Sequence, residues 1–149
     1  FVTERLAMAL GGVASSEYAL QLTLQYMSER EAFGRTINRF QVLRHRIAQL
    51  AAEVEANKAF VHQLFYRYEQ GEYLVKEASM AKLLGTQLAD KVATQCLQMY
   101  GGYGFMEEYP MARFFRDSRL GQLGGGTSEI LCEIIAKMLI DDKAYKSEA

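Results

Sequence analysis

An all-α fold is predicted, an up-down-up-down four-helix bundle with one short extra helix, and three observations predict it. The 149 residues include a single proline, Pro110. Apolar residues recur at three- and four-residue steps over long runs, the period of a helix with one buried face. Glycines punctuate the runs at short connections, so consecutive helices should pack as antiparallel neighbours.

Composition fits this class. The length suits one domain with a sizeable core. Half of the residues are hydrophobic and 23% are charged, with long stretches of helix formers. A net charge of −1 offers no electrostatic footprint for nucleic acid or an anionic membrane. No apolar run reaches the roughly 18 residues of a spanning helix. There is no internal repeat and no low-complexity segment.

The first helix is expected over residues 3–31, with Thr3 as N-cap and Glu4 in the first turn. Leu6, Leu10, Val13, Leu20, Leu24 and Met27 form its apolar face. Gly11 and Gly12 should weaken a helix by about 1 kcal/mol each. The period runs through them, which predicts a close approach by another helix. Phe33 and Gly34 break the pattern, with Gly34 as C-cap.

The second helix is expected over 40–70, with Phe40, Leu43, Ile47, Leu50, Val54, Phe60 or Val61, Leu64 and Tyr68 on its face, and Gly71 ending it. The third, over 75–100, carries Ala78, Ala81, Gly85, Leu88, Val92 and Met99, small enough for close packing. Gly101, Gly102 and Gly104 stop it. A short helix over 110–118 starts on Pro110, which suits a first helical position. The last helix spans 128–140, and the polar tail from Asp141 should fray. The chain opens on Phe1 without a signal-peptide pattern, so it reads as a fragment of something longer.

Cys96 and Cys132 lie in helical patterns without metal spacing and read as small core residues in a reducing compartment. His45 and His62 have no ligand partners at metal spacing, so no metal site is expected. Glu107, Glu108, Arg113, Arg116 and Asp117 read as a solvated charged face.

Three segments carry possible chemistry. In Leu123, Gly124, Gly125, Gly126, Thr127, Ser128, Glu129, three residues without a Cβ let another molecule approach the backbone. Thr127 or Ser128 can cap the following helix, and Glu129 suits its positive end. The turn can receive a flat ligand or an anion, or serve as a flexible loop before a capped helix. Arg30 is a cation at a helix end that could bind phosphate with Phe33 stacking nearby, or simply a cationic last turn with an anchoring aromatic. The run from Gln98 to Phe105 is a glycine C-cap that would also let a planar ligand reach the backbone. It is no dinucleotide fingerprint, since no strand precedes it.

Together these segments resemble the C-terminal domain of the acyl-CoA dehydrogenase family, essentially from end to end. Glu4-Arg5-Leu6 and Arg30-x-x-Phe33-Gly34 match the first helix and its end. Phe40-Gln41 opens the second as the family does. Gln98-x-x-Gly101-Gly102-x-Gly104-Phe105-x-x-Glu108-x-x-x-x-Arg113-x-x-x-Asp117 matches the C-terminal signature. Gly126-Thr127-Ser128-Glu129 supplies the closing motif.

The resemblance implies a flavoenzyme whose N-terminal helical and middle β-domains are absent from this chain. It implies that Arg30, Phe33, Gln41, Gln98, Met99, Tyr100, Gly101 and Gly102 contact the FAD of a neighbouring subunit. Thr127, Ser128 and Glu129 would contact the flavin of their own subunit, in a homodimer or a homotetramer. Arg5, Gly125 and Gly126 would meet the acyl-CoA substrate. Many members carry the catalytic glutamate where this chain has Gly125, which can take no proton. A second branch, resembling isovaleryl- and long-chain acyl-CoA dehydrogenases, places it at the position of Glu4.

The implied reaction is α,β-dehydrogenation of an acyl-CoA thioester. Glu4 would remove the α-proton, a hydride would pass to FAD, and electrons would go on to an electron-transfer flavoprotein. A missing side chain at Gly125 should also widen the pocket for a long or branched acyl group. The alternatives are a same-fold acyl-CoA oxidase or flavin monooxygenase, or a helical oligomerisation module without activity on its own. Such a family sits in the bacterial cytoplasm or the mitochondrial matrix.

Overall fold

The computed structural model describes residues 1–145 and has the all-α architecture. Helix α1 spans Val2–Glu29, α2 Gln41–Glu69, α3 Val75–Tyr100, the single turn α4 Gly102–Phe105, α5 Pro110–Ser118 and α6 Ser128–Leu139. The ends of α3 and α5 fall where glycine and proline predicted them. Pro110 occupies the start of α5. Residues 146–149 of the polar tail lie outside the described residues.

Helix α3 is the central element and packs against α1, α2, α5 and α6. Every residue predicted for its face is buried: Ala78, Ala81, Gly85, Leu88, Val92 and Met99. The predicted close approach exists. A Cβ on Gly85 would stand 3.0 Å from the Ala9 carbonyl oxygen, so α1 and α3 touch backbone to backbone. Two apolar clusters flank this contact. One joins Leu6, Ala9 and Val13 to Val61, Leu64, Leu74 and Ala78. The other joins Leu20, Met27, Leu50, Val54, Val92, Cys96, Met99, Tyr100 and Met111.

Several expectations are corrected. Thr3 is not the N-cap: Phe1 holds that position without a side-chain cap, and the Thr3 hydroxyl pairs with the Tyr68 hydroxyl at 2.7 Å. The first helix stops at Glu29, and Gly34 does not cap it. Instead β1 (Glu31–Ala32) pairs antiparallel with β2 (Arg35–Thr36). Phe33 and Gly34 make the two-residue turn with φ of 52° and 78°. Left-handed backbone at both central positions is what a tight hairpin requires. Leu10 and Leu24 are exposed, because small residues (Ala9, Gly12, Ser16, Ala19, Thr23) set the face that α1 presents to α3. Cys96 is in the core as expected, whereas Cys132 is exposed, and neither is in a disulfide.

Candidate functional site

The end of α1, the hairpin and the end of α3 enclose an open cleft of about 610 Å³. Its walls bring together seven of the residues predicted for the cofactor: Arg30, Phe33, Gln98, Met99, Tyr100, Gly101 and Gly102. Gln41 is exposed at the first position of α2, between the lining residues Phe40 and Leu43 but not among them. Met99 and Tyr100 are buried and form the floor. Tyr26 and Tyr100 stack at 4.0 Å between ring centroids. The Tyr100 hydroxyl donates to the Leu22 carbonyl at 3.1 Å, and burial pushes its phenol up to about 12.

The rim of the cleft is aromatic and cationic. The Arg30 guanidinium lies over the Tyr103 ring at 5.2 Å, and Arg35 lies over Phe40 at 4.3 Å. Phe33 meets Phe40 edge-on at 6.1 Å and is 95% exposed, an apolar face held out in solvent. Cations beside flat aromatic surfaces suit a ligand that combines phosphate with planar rings. Sequence reasoning missed Tyr26 and Tyr103. Tyr103 lies inside the glycine segment already singled out.

The second group of predicted residues assembles at the other end of α1. Gly125 and Gly126 take φ of 63° and 96°, and Gly125 is exposed. Thr127 caps α6 by accepting from the Ile130 N–H at 3.4 Å. Glu129 is exposed. Its carboxyl is held below its ordinary range by its own backbone N–H first, then by the Thr127 hydroxyl and the Arg119 charge. The Ser128 hydroxyl is buried without a hydrogen-bond partner among the described residues.

Helix α1 faces this turn with Met8. A Cβ on Gly125 would stand 2.7 Å from the Met8 sulfur, so the space left by the missing side chain is taken by a thioether. The expected widening at Gly125 is therefore corrected. Glu4 precedes Met8 by four residues, one helical turn, on the same stripe of α1. Glu4 is exposed.

Arg5 points elsewhere. It is 9% exposed, donates to the Ser79 hydroxyl at 3.2 Å, and its Nε has no hydrogen-bond partner among the described residues. Beside it on α3 lies Lys82, completely buried, whose ammonium donates to the Gly126 carbonyl at 2.5 Å. Burial, and secondarily the Arg5 charge, hold the Lys82 ammonium below its ordinary pKa. Lys82 escaped the sequence reading. The available signal was a lysine inside the apolar stripe of α3, four residues after Ala78 and three before Gly85.

The two groups cannot serve one small ligand within one chain. The 22 residue steps from Met8 to Arg30, at the end of α1, rise about 1.5 Å each, roughly 33 Å in all. No group of three or more metal-ligating side chains occurs among the described residues, and none of their helices is long and apolar enough to cross a membrane.

Comparison with known proteins gives one consistent result. Residues 1–140 match the family model described as acyl-CoA dehydrogenase, C-terminal domain. The mitochondrial long-chain specific acyl-CoA dehydrogenase of Sus scrofa is 38% identical over 140 residues, covering 94% of this chain and 33% of that protein. The mitochondrial isovaleryl-CoA dehydrogenase of Solanum tuberosum is 33% identical, covering 94% and 34%. The crystal structure of an acyl-CoA dehydrogenase from Geobacillus kaustophilus superposes with a TM-score of 0.91 at 37% identity, covering 93% of this chain and 37% of that one. The chain thus spans about a third of the length of the curated relatives it matches.

Proposed function

This chain belongs to the acyl-CoA dehydrogenase family, and from that premise we propose that the protein it forms part of dehydrogenates an acyl-CoA thioester to the trans-2-enoyl-CoA. One observation carries the assignment of the base. Met8 packs on Gly125, the position with no proton acceptor, and Glu4 lies one turn away on the same stripe of α1. A carboxylate on that stripe serves the same turn from a different element.

In this reading Glu4 accepts the substrate α-proton on a carboxylate oxygen, as a general base must within hydrogen-bond reach. The Gly125 N–H donates to the thioester carbonyl, where negative charge develops as the proton leaves. Gly126 keeps the turn free of side chains so that the thioester can approach. Met8 closes the space beside Gly125.

The residues present fit FAD. Arg30 would meet a phosphate, while Phe33 and the glycine backbone at 101 and 102 offer flat apolar surface, with Gln98 and Gln41 as amide partners. Thr127, Ser128 and Glu129 would hold the flavin end. When bound, FAD supplies the acceptor for the β-hydride, and an electron-transfer flavoprotein takes the electrons onward. The separation of the two groups along α1 supports a homodimer or homotetramer in which one chain's cleft and another's glycine turn share a cofactor.

The test is anaerobic titration of the intact flavoprotein with acyl-CoAs of increasing length and branching. Loss of the oxidised-flavin absorbance with at least one of them is expected. No loss with any, in protein that holds flavin, would overturn the reading.

A further inference from the structure

We infer that Lys82 is a positioning residue: from the buried face of α3 its ammonium grips the Gly126 carbonyl and fixes the glycine turn. This rests on the proposed role of that turn only for its catalytic consequence.

Lysine is almost never fully buried unless it is paired. Here it is 0% exposed, and among the described residues its ammonium donates to a peptide carbonyl 44 residues away in sequence. The charged neighbour beside it is another cation, Arg5. Stability alone does not explain such a group, since replacing a buried charge by an apolar side chain of similar volume is often neutral or stabilising. On α3, Ala78, Ala81 and Gly85 around it are small and buried, and the hydroxyls of its buried neighbours Ser79 and Thr86 donate to backbone carbonyls of their own helix.

What the ammonium supplies is geometry. Three consecutive glycines have the greatest backbone freedom, and no side chains of their own restrain it. Three side chains restrain the turn, in addition to the Gly124 N–H, which donates to the Leu120 carbonyl at 2.9 Å. Met8 sits against Gly125, Thr127 caps α6, and Lys82 holds Gly126 between them. A charge-assisted hydrogen bond to a carbonyl is the strongest of the three. It also puts a positive charge behind the peptide next to the place where the thioester oxygen would gain negative charge.

The experiment compares the intact protein with Lys82→Met, an apolar side chain of similar reach, by amide hydrogen exchange and thermal unfolding. Exchange in peptides covering residues 123–127 should accelerate about tenfold or more, the size expected for losing a hydrogen bond to a charged group. The unfolding temperature should stay level or rise. In steady-state assays kcat should fall about tenfold with KM within about threefold, the pattern of lost preorganisation. Should Lys82→Met fail to fold, Lys82→Gln, shorter and uncharged, carries the same comparison. Unchanged exchange at 123–127 with a lower unfolding temperature would make Lys82 a core residue and overturn the inference. Faster exchange in a protein whose flavin no acyl-CoA bleaches would keep the tether and sink the catalytic reading alone.

Discussion

Gly12 and Gly85 face one another across the α1–α3 seam with no room for a side chain between them: a Cβ on Gly12 would stand 2.5 Å from the Gly85 carbonyl oxygen. Gly12→Ala should therefore destabilise the domain by about 1–3 kcal/mol through forced separation of the helices. Its neighbour is the control, because a Cβ on Gly11 meets nothing within 4 Å. Gly11→Ala should gain up to about 1 kcal/mol from helix propensity. Urea unfolding of the two variants checks this, and effects of the same sign would contradict it.

Phe33 combines a left-handed backbone with nearly full exposure. A bulky residue there costs about 1 kcal/mol relative to glycine. Phe33→Gly should raise stability by about that amount while weakening flavin retention about tenfold, as loss of a stacking surface would. Thermal unfolding of the flavin-free protein and flavin dissociation read the two effects separately. A variant that keeps its flavin would remove Phe33 from the cofactor site.

Tyr100 makes stability depend on alkaline pH. Its phenol ordinarily titrates at 10.0, and in the folded chain burial pushes it up to about 12. The folded state thus holds a proton that the unfolded chain releases. The contribution is complete below 10.0, declines as pH rises through the window, and is lost by about 12, a fall of about 3 kcal/mol. Tyr100→Phe should flatten that decline and cost about 1 kcal/mol at neutral pH for the lost bond to Leu22. Equal alkaline slopes in the two proteins would contradict the assignment.

How much was legible in the sequence follows from how local each signal is. The limits of α3 and α5 were readable because Gly101 and Pro110 fix them by their own backbone preferences. The hairpin was not, because strands of two residues have no period and Phe33 with Gly34 fits a helix cap as well as a turn. Thr3 had the chemistry of a cap, yet capping depends on backbone placement, and α1 begins one residue earlier.

The candidate site divides in the same way. Its glycines and Arg30 stood out by type and spacing, whereas Glu4 read as an ordinary first-turn acid and was singled out only by the family resemblance. The residues that hold the glycine turn did not. Met8 and Lys82 act on Gly125 and Gly126 from distant helices, and a lysine read by its charge alone is assigned to solvent. Only the packing of α1 on α3 turns those side chains inward.

The central claim is that Glu4 is the base. It is tested most directly by Glu4→Gln in the intact flavoprotein, which keeps size and hydrogen bonding but accepts no proton. Acyl-CoA should still bind and perturb the flavin spectrum, while bleaching slows by about three orders of magnitude, the scale of losing one general base. Bleaching at the parent rate would contradict the account and leave Glu4 as an acidic residue in the first turn of α1.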